Sequence, residues 1–325
     1  MPDIVTLTVN PTIDKSTSVD SVASEVKMRC AMPTFDPGGG GLNVSRAIKK
    51  LGGTSTAIYT AGGGTGAMLT TLLQQEAINT LPIAIADRTR ENLTVYEEST
   101  GLQYRFGMPG PNVTESEWQG CLDAVLAAEA DYIVASGSLA PRMPQDFYMQ
   151  LAERVKPTKS HLIVDTSNEA LEACARAGVF LLKPNLRELE ILSGQKFSSE
   201  DRLIEITQDL IKSGMTEVFV ISMGASGALF ITADEAVKMR PPVVPIRSKV
   251  GAGDSMVGGI VWALAEGHSL HDAVRYGIAA GSAAVMIVAQ NYVARTMFLT
   301  FMTVSPLSIN CLIFDYELPK RQEKS

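Results

Sequence analysis

HLIVDTSNEALEACARAGVFLLKPNLRELEIL, residues 161–192, contains the alternation that decides the fold. "HLIVDTS" opens with a short apolar run of strand length, "EALEACARAG" spaces its apolar residues as a helix does, "VFLLKPN" is a second strand-like run, and "LRELEIL" returns to helical spacing. The same rhythm recurs at "IVTLTV" from 4, "STAIYTA" from 55, "YIVAS" from 132 and "EVFVISM" from 217, with helical stretches such as "LNVSRAIKKLG" between them. Strands alternating with helices predict an α/β protein: a mostly parallel sheet with helices on both faces. Functional loops then gather at the carboxyl ends of the strands.

Two segments break the rhythm. "KMRCAMPTFD" from 27 and "ENLTVYEESTGLQYRFGMPG" from 91 alternate with a period of two, and the second holds a Ser-Thr-Gly turn. They are expected to be hairpin-like strands outside the main sheet, forming a small β lid from segments near 15–36 and 89–108. A third anomaly begins near Met286, where "TMFLTFMTVSPLSINCLIF" (296–314) carries no charge and neither clean period. Nineteen uncharged residues can span a bilayer, but Pro306, Asn310 and the many Ser and Thr argue against an anchor. The chain thus divides into a domain over 1–285 and an atypical tail over 286–325.

Composition removes several function classes. The 325 residues are 46% hydrophobic and 19% charged, ordinary for a soluble globular protein. A formal net charge of -7 leaves no basic footprint for nucleic acid, so an anionic substrate would need a local cluster of Lys and Arg. Cys30, Cys121, Cys174 and Cys311 fit neither a disulfide framework nor a zinc site, and the N-terminus reads as a first strand instead of a signal peptide; a cytoplasmic setting is expected. No Gly-Lys dipeptide, H-E-x-x-H or G-x-S-x-G occurs, which excludes the P-loop, zincin and hydrolase readings. "STAIYTAGGGTGA", with Gly62, Gly64, Ala67 and a later Asp87, imitates a dinucleotide fingerprint and would make the chain an NAD-dependent dehydrogenase; a glycine-rich strand-to-helix turn explains it more simply.

Four stretches carry chemistry. In "VGAGDSMVGG" (250–259), Asp254 follows Gly-Ala-Gly at the start of a helix, where unpaired N–H groups attract an anion; this is a phosphate cradle with a base beside it. In "DPGGGGLNVSRAIKKLGG", Gly38 to Gly41 precede a helix whose first turn holds Asn43, an amide able to read hydroxyls. In "LLKPNLRELEIL", Asn185 and Glu188 form either a capping box or a site that holds Mg²⁺ through waters. "ISMGASGALF" puts Ser222, Gly224 and Gly227 at a strand's carboxyl end or in a tight hairpin turn.

In this order, "GGGGLNVSRAIKKLGG", "KPNLRELEIL" and "VGAGDSMVGG" resemble the ribokinase-like (pfkB) carbohydrate kinases, over roughly residues 3 to 284. Within that family, "TLTVNPTIDKS", "FDPGGGGLNV", "QYRFGMPG", "SGSLAP" and "AAGSAA" look most like the 6-phosphofructokinase members. The resemblance implies ATP and Mg²⁺ as cofactors, phosphorylation of fructose 6-phosphate at its 1-hydroxyl, and a homodimer paired through the lid. It implies Asp254 as general base and the N–H groups of Gly251, Ala252 and Gly253 as anion hole. Asp14, Gly39, Gly40, Asn43 and Ser138 would bind the sugar, and Lys27, Arg29, Arg90 and Arg105 its phosphate. Lys183, Asn185, Ser222, Gly224 and Gly227 would serve the nucleotide, and Glu188 the metal through water.

Close alternatives are 1-phosphofructokinase and tagatose-6-phosphate kinase; a more distant one is a folded but inactive sugar-binding protein. Three stretches depart from the family pattern: Lys249 stands where a small hydroxyl residue is usual, "SGSLAPRM" replaces Leu-Pro-Pro-Gly, and "MIVAQNYVARTMF" replaces the loop near the adenine and the final helix. A shifted reading frame from about Met286 would explain the last.

Overall fold

The computed structural model describes residues 3–248, 250–286 and the backbone of 315–317. Lys249 and the tail, apart from Met286 and that short strand, lie outside the described residues, and with them the readings of an anchor and a shifted frame. In chain order the elements are β1 (Ile4–Thr8), β2 (Thr12–Val19), β3 (Thr34–Gly38), α1 (Gly40–Lys50), β4 (Thr56–Ala61), α2 (Gly63–Gln75), β5 (Asn79–Ala84), β6 (Arg90–Glu97) and β7 (Gln103–Phe106). Next come α3 (Glu115–Ala127), β8 (Tyr132–Ser136), α4 (Phe147–Val155), β9 (His161–Asp165), α5 (Asn168–Ala177), β10 (Val179–Leu182), α6 (Leu186–Ser193) and α7 (Glu200–Lys212). The described chain closes with β11 (Thr216–Ser222), β12 (Ala228–Ile231), β13 (Ala236–Met239), α8 (Ala252–Ala265), α9 (Leu270–Val285) and β14 (Asp315–Glu317).

Each apolar run marked in the sequence is a strand of one sheet, ordered β5-β4-β1-β8-β9-β10-β11-β12-β13-β14. The strands from β5 to β11 pair in parallel, and β12, β13 and β14 pair antiparallel. The two-residue period of a strand divides the core between two faces. Ile133, Ala135, Leu162 and Val164 pack with α3, α4 and α5, whereas Val134 and Ile163 pack with α1, α8 and α9. Helices therefore cover both faces, as expected, and the sheet can be apolar on each side.

The lid is a separate four-stranded sheet, β3-β2-β6-β7. The Ser-Thr-Gly turn between β6 and β7 is where the sequence placed it, but "KMRC" is not a strand. The first lid pair is β2 with β3, and residues 21–33 form an irregular, mostly exposed connection between them. Lys27 and Arg29 sit in that connection, a correction to their expected place on a lid strand. Alternation alone cannot tell a strand from an extended loop; β2 wins the pairing because its backbone has partners on both sides, β3 and β6.

The strand order reverses beside β1, which has β4 on one side and β8 on the other. At such a switch point the loops leaving adjacent strands part and open a crevice at their carboxyl ends. The loop after β1, the Gly38–Gly41 turn and the loop after β8 meet there. Added Cβ atoms at Gly40 and Gly41 would collide with Ser136 and with Leu7 and Thr8, so close packing of α1 on the strand ends demands these glycines.

Candidate active site

Asp254 stands in the first turn of α8, which begins at Gly251 with φ 75°, a left-handed conformation that glycine adopts without strain. Among the described residues no side chain caps this N-terminus. The first N–H groups of a helix have no partner within it, so they and the positive dipole end remain for an anion. The start of α1 differs: its N-cap, Gly39, has no side chain to cap with, but Thr8 Oγ1 accepts the Leu42 N–H at 3.0 Å. The two helix starts are joined where Asn43 Nδ2 donates to Asp254 Oδ2 at 2.9 Å.

The electrostatics around Asp254 suit a proton acceptor. Burial, the largest cause, pushes its carboxyl up to about 6; the Asp165 charge adds to the rise, while the Asn43 hydrogen bond and Lys183 oppose it. A base with a pKa near the working pH combines the correct charge state with useful proton affinity. Lys183, 8% exposed, pairs with Asp165 at 3.1 Å. Burial alone would lower the lysine, but Asp165, then Asp254 and Glu188, hold it above its usual value. A Cβ placed on Gly253 would lie 3.4 Å from Lys183 Nζ, so the ammonium stands beside the turn.

A cavity of about 210 Å³ opens here, lined by Ser136 at the end of β8, Gly137 and Ser138 from the loop after it, and Asp165, Glu188 and Asp254. Glu188 also belongs to a capping box: its Oε2 accepts the Asn185 N–H at 2.8 Å, and Asn185 Oδ1 accepts the Glu188 N–H at 2.9 Å. The capping reading of this motif is the one the geometry shows, and the same carboxylate also lines the cavity. Ser222 donates its N–H to the Pro184 carbonyl at 2.9 Å, which ties the Ser222–Gly227 turn to Asn185. Gly224 and Gly227 form the hairpin turn between β11 and β12, the plainer of the two readings offered for them, and neither lines this cavity.

At the base of the lid, Asp14 Oδ1 accepts from Asn92 Nδ2 at 3.0 Å, and Gly38 lies so close that a Cβ would strike the Asp14 carboxylate. The half-buried Arg90 donates from Nη2 to the Asn10 carbonyl at 3.1 Å and from Nη1 to the Met108 carbonyl at 3.2 Å. Its Nε is buried with no partner among the described residues. Asn10 in turn donates to Ser138 Oγ at 3.2 Å, which connects the lid base to the cavity. Arg105 pairs opposite Thr94 on the exposed edge of the lid, and Lys27 and Arg29 are fully outside this cluster.

Sequence reading missed Asp165, Asn92, Asn10 and Arg46. Asp165 had a usable signal, a carboxylate closing the apolar run "HLIVD" at a carboxyl end; the other three act through contacts across the fold. The dinucleotide imitation dissolves. A Cβ on Gly62 would strike the Asp87 backbone, and the Asp87 carboxylate accepts from the backbone and side chain of Asn112.

A helix start that cradles an anion, with a near-neutral acid on its first turn and a buried lysine beside it, is the equipment of a phosphoryl-transfer site. The family model for pfkB family carbohydrate kinases matches residues 5–289, and the chain belongs to that family. It is 44% identical over 287 residues to the ATP-dependent 6-phosphofructokinase isozyme 2 of Mycobacterium tuberculosis, covering 88% of this chain and 84% of the relative. It is 34% identical over 285 residues to the 1-phosphofructokinase of Borreliella burgdorferi, covering 87% and 92%. The fold superposes with a TM-score of 0.85 on phosphofructokinase-2 from Escherichia coli in complex with fructose-6-phosphate, at 39% identity over 93% of this chain and 100% of that one.

Proposed function

We propose that this carbohydrate kinase transfers the terminal phosphoryl of ATP to the 1-hydroxyl of fructose 6-phosphate, giving fructose 1,6-bisphosphate. The observation that carries the reading is Asp254, an acid raised to about 6 on the first turn of a helix whose N-terminus no side chain among the described residues caps. Asp254 takes the hydroxyl proton, and the N–H groups of Gly251, Ala252 and Gly253 hold the charge that builds on the transferring group. Lys183 faces the phosphates; Asn185, Ser222, Gly224 and Gly227 serve the nucleotide.

Asp14, Gly39, Gly40, Asn43 and Ser138 orient the sugar. Arg90, whose buried Nε has no partner among the described residues, grips the 6-phosphate, and a planar guanidinium fork suits that task. Arg105 assists from β7.

Mg²⁺ fits the donor set as an ion that keeps part of its water shell. Asp165 and Glu188 line one cavity, and among the described residues no group of three or more His, Cys, Asp or Glu forms a protein cage, which is the pattern of an ion shared with substrate phosphates. When bound it would neutralise phosphate charge, and Glu188 would hold it through water.

The lid supports pairing of two copies. Val26, Met28 and Met32, in the connection between β2 and β3, are 62%, 42% and 89% exposed, and Leu102, Phe106 and Met108, on or beside β7, are exposed as well. Lys27 and Arg29 share that segment, so their contact with the sugar phosphate depends on the pairing. No helix among the described residues is long and apolar enough to cross a membrane, and Cys30, Cys121 and Cys174 are free thiols.

The test is Mg-ATP turnover with a panel of free and phosphorylated sugars. ADP release that depends on fructose 6-phosphate, with fructose 1,6-bisphosphate as product, is the expected outcome. A higher kcat/KM for fructose 1-phosphate would move the substrate to the 1-phosphofructokinase type, and sugar-phosphate binding without turnover would leave an inactive sugar-binding protein.

A further inference from the structure

Asn43 is an amide, and only one of its two orientations lets it donate to a carboxylate. Its Nδ2 faces Asp254 at 2.9 Å, and its Oδ1 faces Arg46 Nη1 at 3.5 Å, one turn further along α1. Turned over, the amide would set its oxygen against a carboxylate and its NH₂ against a guanidinium, two repulsive contacts in place of two attractive ones. The contact at 3.5 Å is too long to count as a strong hydrogen bond, so Arg46 acts on Asn43 mainly as a charge fixed in place.

What fixes Arg46 is unusually complete. Nε donates to Glu76 Oε2 at 2.8 Å and Nη2 to Glu76 Oε1 at 2.7 Å, a bidentate pair, while Nη1 donates to the Pro37 carbonyl at 3.0 Å. Both side chains of the pair are about one-fifth exposed, and Asp36 stands 3.9 Å from the guanidinium. Parallel N–H···O⁻ bonds define the plane of the fork as well as its position.

We infer that Arg46, clamped by Glu76 at the end of α2, is a positioning residue that holds the Asn43 amide in the orientation that donates to Asp254. The inference rests on the reading of Asp254 as the base. Four groups then face that carboxylate or its neighbours: Asn43 from α1, Asp165 at the end of β9, Lys183 after β10, and Glu188 from α6 by way of Lys183. Of these, Asn43 is the only one whose effect depends on which way round it sits.

The test reads Asp254 directly, by carbon NMR of the protein labelled at the aspartate carboxyls, with the Asp254 signal assigned from its loss in Asp254→Asn. The titration midpoint of the unaltered protein is expected near 6. Because the Asn43 hydrogen bond lowers that midpoint, Arg46→Met and the milder Glu76→Gln should both raise it, and Arg46→Lys, which keeps the charge without the fork, should raise it as well. Asn43→Ala should raise it at least as far, and adding Arg46→Met to Asn43→Ala should move it no further. A midpoint unmoved by Glu76→Gln and Arg46→Met in folded protein would overturn the inference. So would an equal rise in the Asn43→Ala background, since that would mean a long-range charge effect independent of the amide. Turnover assays separate the two levels of the argument: loss of sugar-phosphate-dependent turnover in the unaltered protein would reject the functional reading, while the titration series would still decide the role of Arg46.

Discussion

Lys183 Nζ lies 3.1 Å from Asp165 Oδ1, an ion pair between neighbouring strand ends that holds the ammonium beside the first turn of α8. Breaking a buried pair leaves one charge uncompensated. Asp165→Asn should therefore lower unfolding stability by as much as about 3 kcal/mol. The Asp165 charge also raises Asp254, so its removal should move the acid limb of the kcat–pH profile below about 6. Denaturant unfolding and a pH–rate profile measure the two effects, and a profile that stays in place would mean the two carboxylates are not coupled.

Asp254→Asn removes the proton acceptor and keeps the shape. Turnover should fall by at least roughly a hundredfold with sugar-phosphate binding retained, the pattern of a lost general base. Stability should move the other way. A carboxyl raised from 3.8 to about 6 in the fold is favoured in its protonated form, and that contribution is lost as pH rises through about 6. At pH 7.5 the Asn variant should gain at most about 3 kcal/mol relative to the unaltered protein, and the gain should vanish below about pH 4. Thermal melts at the two pH values check the sign.

For Glu188→Gln the capping box survives, because a glutamine oxygen also accepts the Asn185 N–H. The melting temperature should change little while the Mg²⁺ concentration needed for half-maximal turnover rises. A fall in melting temperature with an unchanged Mg²⁺ requirement would assign Glu188 to the helix alone.

Arg90→Ala should weaken fructose 6-phosphate by about 1.5–3 kcal/mol, the range for hydrogen bonds to a charged group, and should scarcely affect free fructose. Arg105→Ala, at an exposed position, should cost less. Calorimetric titration with both sugars measures the difference. Equal losses for the two would make Arg90 a brace between the Asn10 and Met108 carbonyls instead of a phosphate ligand.

The order of strands and helices was legible because it is local. Apolar periods of two and near four report burial directly, so β1, β4, β8, β9, β10 and β11 stand where their runs predict, and the cradle at Gly251–Asp254 could be recognised from glycines beside a helix start. Pairing is not local. Which extended segment becomes a lid strand depends on backbone partners contributed from elsewhere, so "KMRC" reads as a strand and folds as a connection, while the expected lid segment near 15–36 covers only the second half of β2. The same reason separates the residues of the site. Asp254, Asn43 and Glu188 each carried a signal in their own neighbourhood of sequence. The Asp165–Lys183 pair, the Asn10 link from lid to cavity and the Glu76–Arg46–Asn43 chain join positions 18 to 128 residues apart, apart from the single turn from Arg46 to Asn43. Only the packing of α1 against α8, at a reversal in strand order, gives Asp254 the burial and the donor that raise its carboxyl toward neutrality, and no stretch of sequence holds that information by itself.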